Sequence, residues 1–238
     1  MRDIMTIPIS GEDSLLIACD NSGAIGMKEH DLVRVPYEMV SYYSFRVAAM
    51  EVIAAGGEIV SVVLNNFCGN EPWRELVKGI QNGLDELGLK DVVITGSTES
   101  NFELKQSAIG IQVMGKTSFP KTTKLMYSQN IKIAVIGLPL VGNEVIEQEE
   151  HVVPLSIFHN MSRIHHVAIW PVGSKGILFE LNQMFSNIHF TRDMVNTDVD
   201  IVKSSGPATC FVVAYYENDE DKIKELSRGF FHPVEIKK

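Results

Sequence analysis

Five acidic residues stand where this 238-residue chain passes from apolar to small and polar sequence. They are Glu12 and Asp13 in "GEDS", Asp20 closing "LLIACD", Glu51 inside "RVAAMEVIAAGG", and Glu99 after "TGST". Converging carboxylates supply the hard oxygens that Mg2+ prefers, and Mg2+ typically links them to substrate phosphates rather than filling an all-protein cage. Glu51 has apolar neighbours on nearly all sides, and a carboxylate there wants a cation. Taken singly, Glu12 or Asp13 reads equally well as a turn or cap residue, and Glu51 as a solvated helix acid. Glycines stand beside the acids at Gly23, Gly26, Gly56, Gly57 and Gly96, where backbone amides can approach an anion without side-chain obstruction. The sequence holds no G-x-x-x-x-G-K-[ST] loop, no G-x-S-x-G elbow, no H-E-x-x-H and no Cys-x-x-Cys pair. His165 and His166 are adjacent, so on a strand they would point to opposite faces, which is not a zinc-ligand spacing.

The elements that must position these acids come in two runs. "DSLLIACD" reads as a strand ending on Asp20, followed by turn-rich "NSGAIGMKEHD". "PYEMVSYYSFRVAAMEVIAAGG" places Val40, Tyr43, Val47, Met50 and Ala54 at helical spacing, with Pro36 at the start and Gly56-Gly57 at the stop, which predicts an amphipathic helix. "EIVSVVLNNF" is a strand, "PWRELVKGIQNGLDELGL" a helix with Trp73, Leu76, Ile80, Leu84 and Leu87 on one face, and "DVVITGSTE" and "SAIGIQVMGK" two further strands. The basic, Pro120-broken stretch at 116–130 marks a boundary, which divides the chain into domains 1–118 and 119–238. In the second, "IKIAVIGLPLVG" is a strand, "NEVIEQEEHVVPLSIFHNM" is helical up to its proline, and "IHHVAIWPVGSKGILFELNQMF" reads strand, glycine loop, helix. "FVVAYY", a short charged helix and "HPVEIKK" close the chain. Helices and strands mix without a strict βαβ rhythm, so the fold class is α+β.

Composition bounds the function. A net charge of −9 argues against a general nucleic-acid or acidic-membrane binder, so a phosphate-bearing ligand needs local help from backbone amides or metal ions. Cys19, Cys68 and Cys210 are far apart and odd in number, which reads as buried reduced thiols and a cytoplasmic protein. The start "MRDIMTIPIS" lacks a signal-peptide apolar region, and no apolar run approaches the ~18 residues needed to span a bilayer.

The arrangement resembles the aminoimidazole-ribonucleotide-synthetase-like superfamily of ATP-dependent enzymes. "GEDS" is similar to the Gly-Asp-Asp-Ala that opens its kinase members, which implies Asp13 as a magnesium ligand with Glu12 in the place of the first aspartate. "IACDNSGAIG" resembles the strand-then-Asp segment, with Asp20 in the metal position, and "AAMEVIAAGGEIV" carries Glu51 onto the metal-binding aspartate of the helix and Met50 onto its asparagine. "ITGSTES" resembles the Gly-Gly-Asp/Glu-Thr loop with Thr98 and Glu99 in reversed order, so both stay open as the metal-facing residue. "WPVGSKGILFEL" is similar to a second-domain turn, with Pro171 in place of its aspartate.

The resemblance implies a two-domain fold whose first-domain strands form a shared barrel in a homodimer. It implies ATP and Mg2+ as cofactors, with catalytic Asp20, Asp13 and Glu51, metal ligands that add Glu99, and a nucleotide site at Asn21, Gly23, Gly26, Gly96, Ser97 and Thr98. The short length together with "ACDNSGAIG" and "ITGSTESNF" most resembles the α-ribazole kinases of cobalamin salvage, which implies phosphorylation of a nucleoside-like acceptor. A thiamine-monophosphate kinase or another enzyme of the superfamily, and a non-catalytic nucleotide-binding sensor, are the alternatives.

Overall fold

The computed structural model describes residues 3–121 and 124–237. Thr122 and Thr123 of the boundary stretch, Met1 and Arg2, and Lys238 after the last strand lie outside the described residues. The chain forms two compact units that divide after Lys121.

The first unit contains β1 (Ile4–Ser10), β2 (Asp13–Gly23), β3 (Ile25–Gly26), β4 (Val33–Arg34), α1 (Tyr37–Ala54), β5 (Glu58–Asn66), α2 (Trp73–Glu86), β6 (Val93–Thr98) and β7 (Ala108–Thr117). Its main sheet runs β1-β2-β7-β5-β6, antiparallel except for the β5–β6 pair that α2 connects. Within the single chain this is an open sheet, not a barrel. The β2 strand continues three residues beyond Asp20, because its antiparallel ladder with β7 runs unbroken from Ser14–Thr117 to Gly23–Ala108.

Strict alternation in β2 sends Ser14, Leu16 and Ala18 to the face that α1 covers and leaves Cys19 exposed, so this thiol is not buried as its apolar neighbours suggest. Cys68 and Cys210 are buried. The α1 helix is buried nearly all round rather than amphipathic, because the sheet takes one side and α2 another; Met39, Tyr43, Val47 and Glu51 form its half-buried stripe. Gly79 and Gly83, one helical turn apart on α2, let the two helices close. A Cβ at either would collide with Glu38 and Ser41 or with the Phe45 ring.

The second unit contains β8 (Ile131–Ile136), α3 (Glu144–Glu147), α4 (Leu155–Ser162), β9 (Ala168–Pro171), α5 (Gly176–Met184), β10 (Val195–Asn196), β11 (Phe211–Tyr216), α6 (Glu220–Ser227) and β12 (Phe231–Ile236), with sheet order β10-β12-β8-β11-β9. Trp170, Ile177, Leu181, Phe185, Phe190 and Val212 build its core. The helix expected up to Pro154 is only the short α3 and a 3-10 turn at Glu149–His151, and a longer helix, α4, follows the proline: Pro154 caps its start with fixed φ, and proline disfavours helical backbone in the residue before it. His165 and His166 lie in the turn before β9, not on a strand, with their rings edge to face at 3.8 Å.

Candidate functional site

Asp20 points to the helix-covered face of the first sheet and is half-buried. Burial pushes its carboxyl up to about 6, against the pull of hydrogen bonds from the Ser44 hydroxyl and the Asn21 backbone. An ionised carboxylate here is held in surroundings that disfavour its charge, and a bound cation relieves that cost. Ser44 lies on α1, buried, and was not singled out by the sequence motifs; its signal was the spacing of seven from Glu51, two helical turns. That spacing also sets Glu51 about 10 Å further along α1 than Ser44.

The other acids are dispersed. Gly11 and Glu12 form the two-residue loop of the β1–β2 hairpin, with Gly11 at φ +59°, and Asp13 pairs with Ser10 across it. The exposed Asp13 carboxylate accepts a 2.6 Å hydrogen bond from Ser118 Oγ. Asp13 and Asp20 are seven strand steps apart, which is about 23 Å and an odd number that places them on opposite faces. The two do not reach one ion within a chain. Thr98 shares Asp20's face, and its Oγ1 accepts from the buried Asn66 amide at 3.1 Å, but β6 is three strand spacings, about 14 Å, from β2. The Glu99 carboxylate turns back on its own loop and accepts from Asn101 N at 2.6 Å and Phe102 N at 3.3 Å. Among the described residues, no group of three or more His, Cys, Asp and Glu side chains comes together as a metal site.

The small and polar residues of the expected nucleotide site divide between two faces. Asn21 and Ser97 lie in one register row, Asn21–Gly110–Asn65–Ser97, on the face opposite Asp20. Asn65 of this row donates to Oε1 of Gln112, in the neighbouring row, at 3.1 Å, so this outer face carries a polar patch beside Cys19. Gly23 stands open, with no atom near its missing side chain. Gly26 is packed against Ser107 and Tyr37, and Gly96 against the Leu64 backbone, so these two glycines answer close packing rather than leaving an open anion cradle.

A second concave region lies past the ends of β5 and β6: a cavity of about 660 Å3 between the loops after those strands and the start of α1. Phe67, Phe102, Glu71, Glu75 and Glu103 line it. Of its lining residues only Glu99 stood out in the sequence. The missed signal was a phenylalanine inside each of two polar loops, "NNFCGNEP" and "TESNFEL".

No family model matches the sequence, and no curated protein matches it. Solved structures do match the fold. The chain is similar to tt0281 from Thermus thermophilus, with 12% identity over 99% of this chain and 87% of that one at a TM-score of 0.61. It is similar to thiamine monophosphate kinase from Aquifex aeolicus, with 11% identity over 100% and 89% of the two chains and a TM-score of 0.65. PurL from T. maritima, complexed with AMPPCP, matches at 11% identity over 97% of this chain and 41% of that one, with a TM-score of 0.62. The chain therefore has the two-domain α+β fold expected from its resemblance to the aminoimidazole-ribonucleotide-synthetase-like proteins. None of the helices among the described residues is long and apolar enough to cross a membrane.

Proposed function

We propose that this chain is an ATP-dependent kinase that transfers the ATP γ-phosphate to the ribose 5′-hydroxyl of α-ribazole, giving α-ribazole 5′-phosphate and ADP. The observation that carries the reading is Asp20, a half-buried carboxylate whose charge burial disfavours, set in a fold it shares with a thiamine monophosphate kinase and with a protein complexed with an ATP analogue. Such a carboxylate fits a divalent cation, and Mg2+ commonly takes only one or two protein carboxylates with substrate phosphates completing its shell. Asp20 would be the one protein carboxylate holding Mg2+, because Asp13, Glu51 and Glu99 do not gather with it among the described residues. When bound, Mg2+ supplies charge neutralisation at the transferring phosphoryl group.

The chain's own residues then position. The Ser44 hydroxyl fixes the Asp20 carboxyl and open Gly23 lets backbone approach a phosphate, while Asn21 and Ser97, on the opposite face, take no part within one chain. A homodimer fits the same reading. The register row Met5–Ile17–Met114–Ser61–Val93 crosses the outer face of the first sheet, with Met5 59% and Val93 63% exposed, and a second copy would cover it.

The test is ATP consumption with Mg2+ in the presence of α-ribazole, of thiamine monophosphate, or of no acceptor, with mass spectrometry of the products. One phosphoryl group gained by α-ribazole is the expected result; gain by thiamine monophosphate instead replaces the acceptor. The dispersal of the acids within one chain favours a second reading, a nucleotide-binding sensor. ATP binding with no acceptor phosphorylated would select it.

A further inference from the structure

The cavity past β5 and β6 carries four carboxylates, Glu71, Glu75, Glu99 and Glu103, against one ammonium, Lys28. Lys28 Nζ donates to the Leu104 carbonyl at 2.7 Å, and the Glu99 carboxylate is turned onto backbone amides. Glu71, Glu75 and Glu103 are exposed. An anion entering this space without a metal cation meets an excess of negative charge, so the cavity by itself favours a positively charged ligand. Its apolar surface is aromatic: Phe67 is 41% and Phe102 79% exposed, over a floor that includes buried Tyr37 and Cys68. Tyr37 is locked by a 3.0 Å hydrogen bond with Ser107 Oγ, which in turn donates to Asp31 at 2.6 Å, so the floor is preformed. Exposed ring faces beside carboxylates, in a space large enough for a small ligand, match a flat ring with a delocalised positive charge.

We infer that this cavity binds a small heteroaromatic cation, its ring against Phe67 and Phe102 and its charge facing Glu71, Glu75 and Glu103. The inference goes beyond the kinase reading and does not rest on it, because neither Asp20 nor ATP takes part.

The experiment is calorimetric titration of the full chain, near neutral pH, with two probes of nearly the same shape: 1,3-dimethylbenzimidazolium, a permanent cation, and neutral 1-methylbenzimidazole. The cation is expected to bind about tenfold or more tightly than the neutral ring, and to weaken with added salt. The Glu71→Gln/Glu75→Gln/Glu103→Gln variant, altered only at exposed positions, should lose that preference, and Phe67→Leu should weaken both probes. No binding of the cation, equal binding of the two probes, or an unchanged preference in the folded glutamine variant would overturn the inference. Titration of the same sample with Mg2+ and ATP reads the kinase proposal separately.

Discussion

Asp20 and Asp13 lie on one strand, seven residues apart, in opposite surroundings. Asp13 sits at a hairpin turn in water, tied to Ser118. Asp20 lies under α1, half-buried beside Ser44, with its carboxyl pushed up to about 6. The residue type is the same, and the chemistry differs because strand alternation and the helix above decide which carboxylate loses water. A motif drawn from a short acidic stretch therefore identifies a site only after the face of each residue is known.

The largest expected effect separates the two acids by activity. Asp20→Asn should lower phosphoryl transfer by about a thousandfold or more while the protein stays folded, since it removes a charge from the phosphate site; Asp13→Asn should stay within about threefold of wild type. Equal losses in a steady-state assay would break the comparison.

Stability sharpens it with the opposite sign. Asp20 holds its proton to about pH 6 in the fold and to 3.8 in its unperturbed state, so the folded chain binds more protons between those values. Stability then falls as pH rises from about 4 to about 6 and is flat above. Asp20→Asn should remove that slope and gain about 3 kcal/mol at neutral pH, with the gain vanishing near pH 4, as read by urea denaturation at the two pH values. A variant less stable than wild type at neutral pH would show that Asp20 is already compensated in the fold.

Cation binding should follow the same group. Affinity for Mg2+ with ATP is expected to fall about tenfold per pH unit below 6, where Asp20 takes up its proton, and to lose that dependence in Asp20→Asn. Calorimetry across that range checks it.

The smaller effects concern the supports. Ser44→Ala removes a hydrogen bond that favours the ionised form, so it should raise the Asp20 titration point further and slow turnover by roughly tenfold, visible in the pH–rate profile. Ser118→Ala loses only an exposed bond to Asp13 and should change stability by less than about 0.5 kcal/mol.

Much of the fold was legible because it rests on local rules. The apolar run in "DSLLIACD", the helical spacing of Leu76, Ile80 and Leu84, and the glycines ending α1 each belong to a few consecutive residues. In "NEVIEQEEHVVPLSIFHNM" the helix before Pro154 is shorter than its pattern predicts, and a second helix follows, because the backbone rule at that proline breaks the segment and suits the start of a new helix. The candidate site was less legible. That Asp20 carries the charge problem could be suspected from its apolar approach, but Ser44 and the cavity phenylalanines belong to elements far from it in sequence.

The sequence by itself determined the two-part α+β plan, the acidic balance and the strand and helix that bear Asp20 and Glu51, since composition and periodicity are properties of neighbouring residues. Only the tertiary structure decided that β7 lies between β2 and β5, that Asn21 and Ser97 face away from Asp20, that Asp13 stands about 23 Å from it, and that Cys19 is exposed. Strand order and register are set by pairing over long separations, and a shift of one residue exchanges the two faces of a sheet.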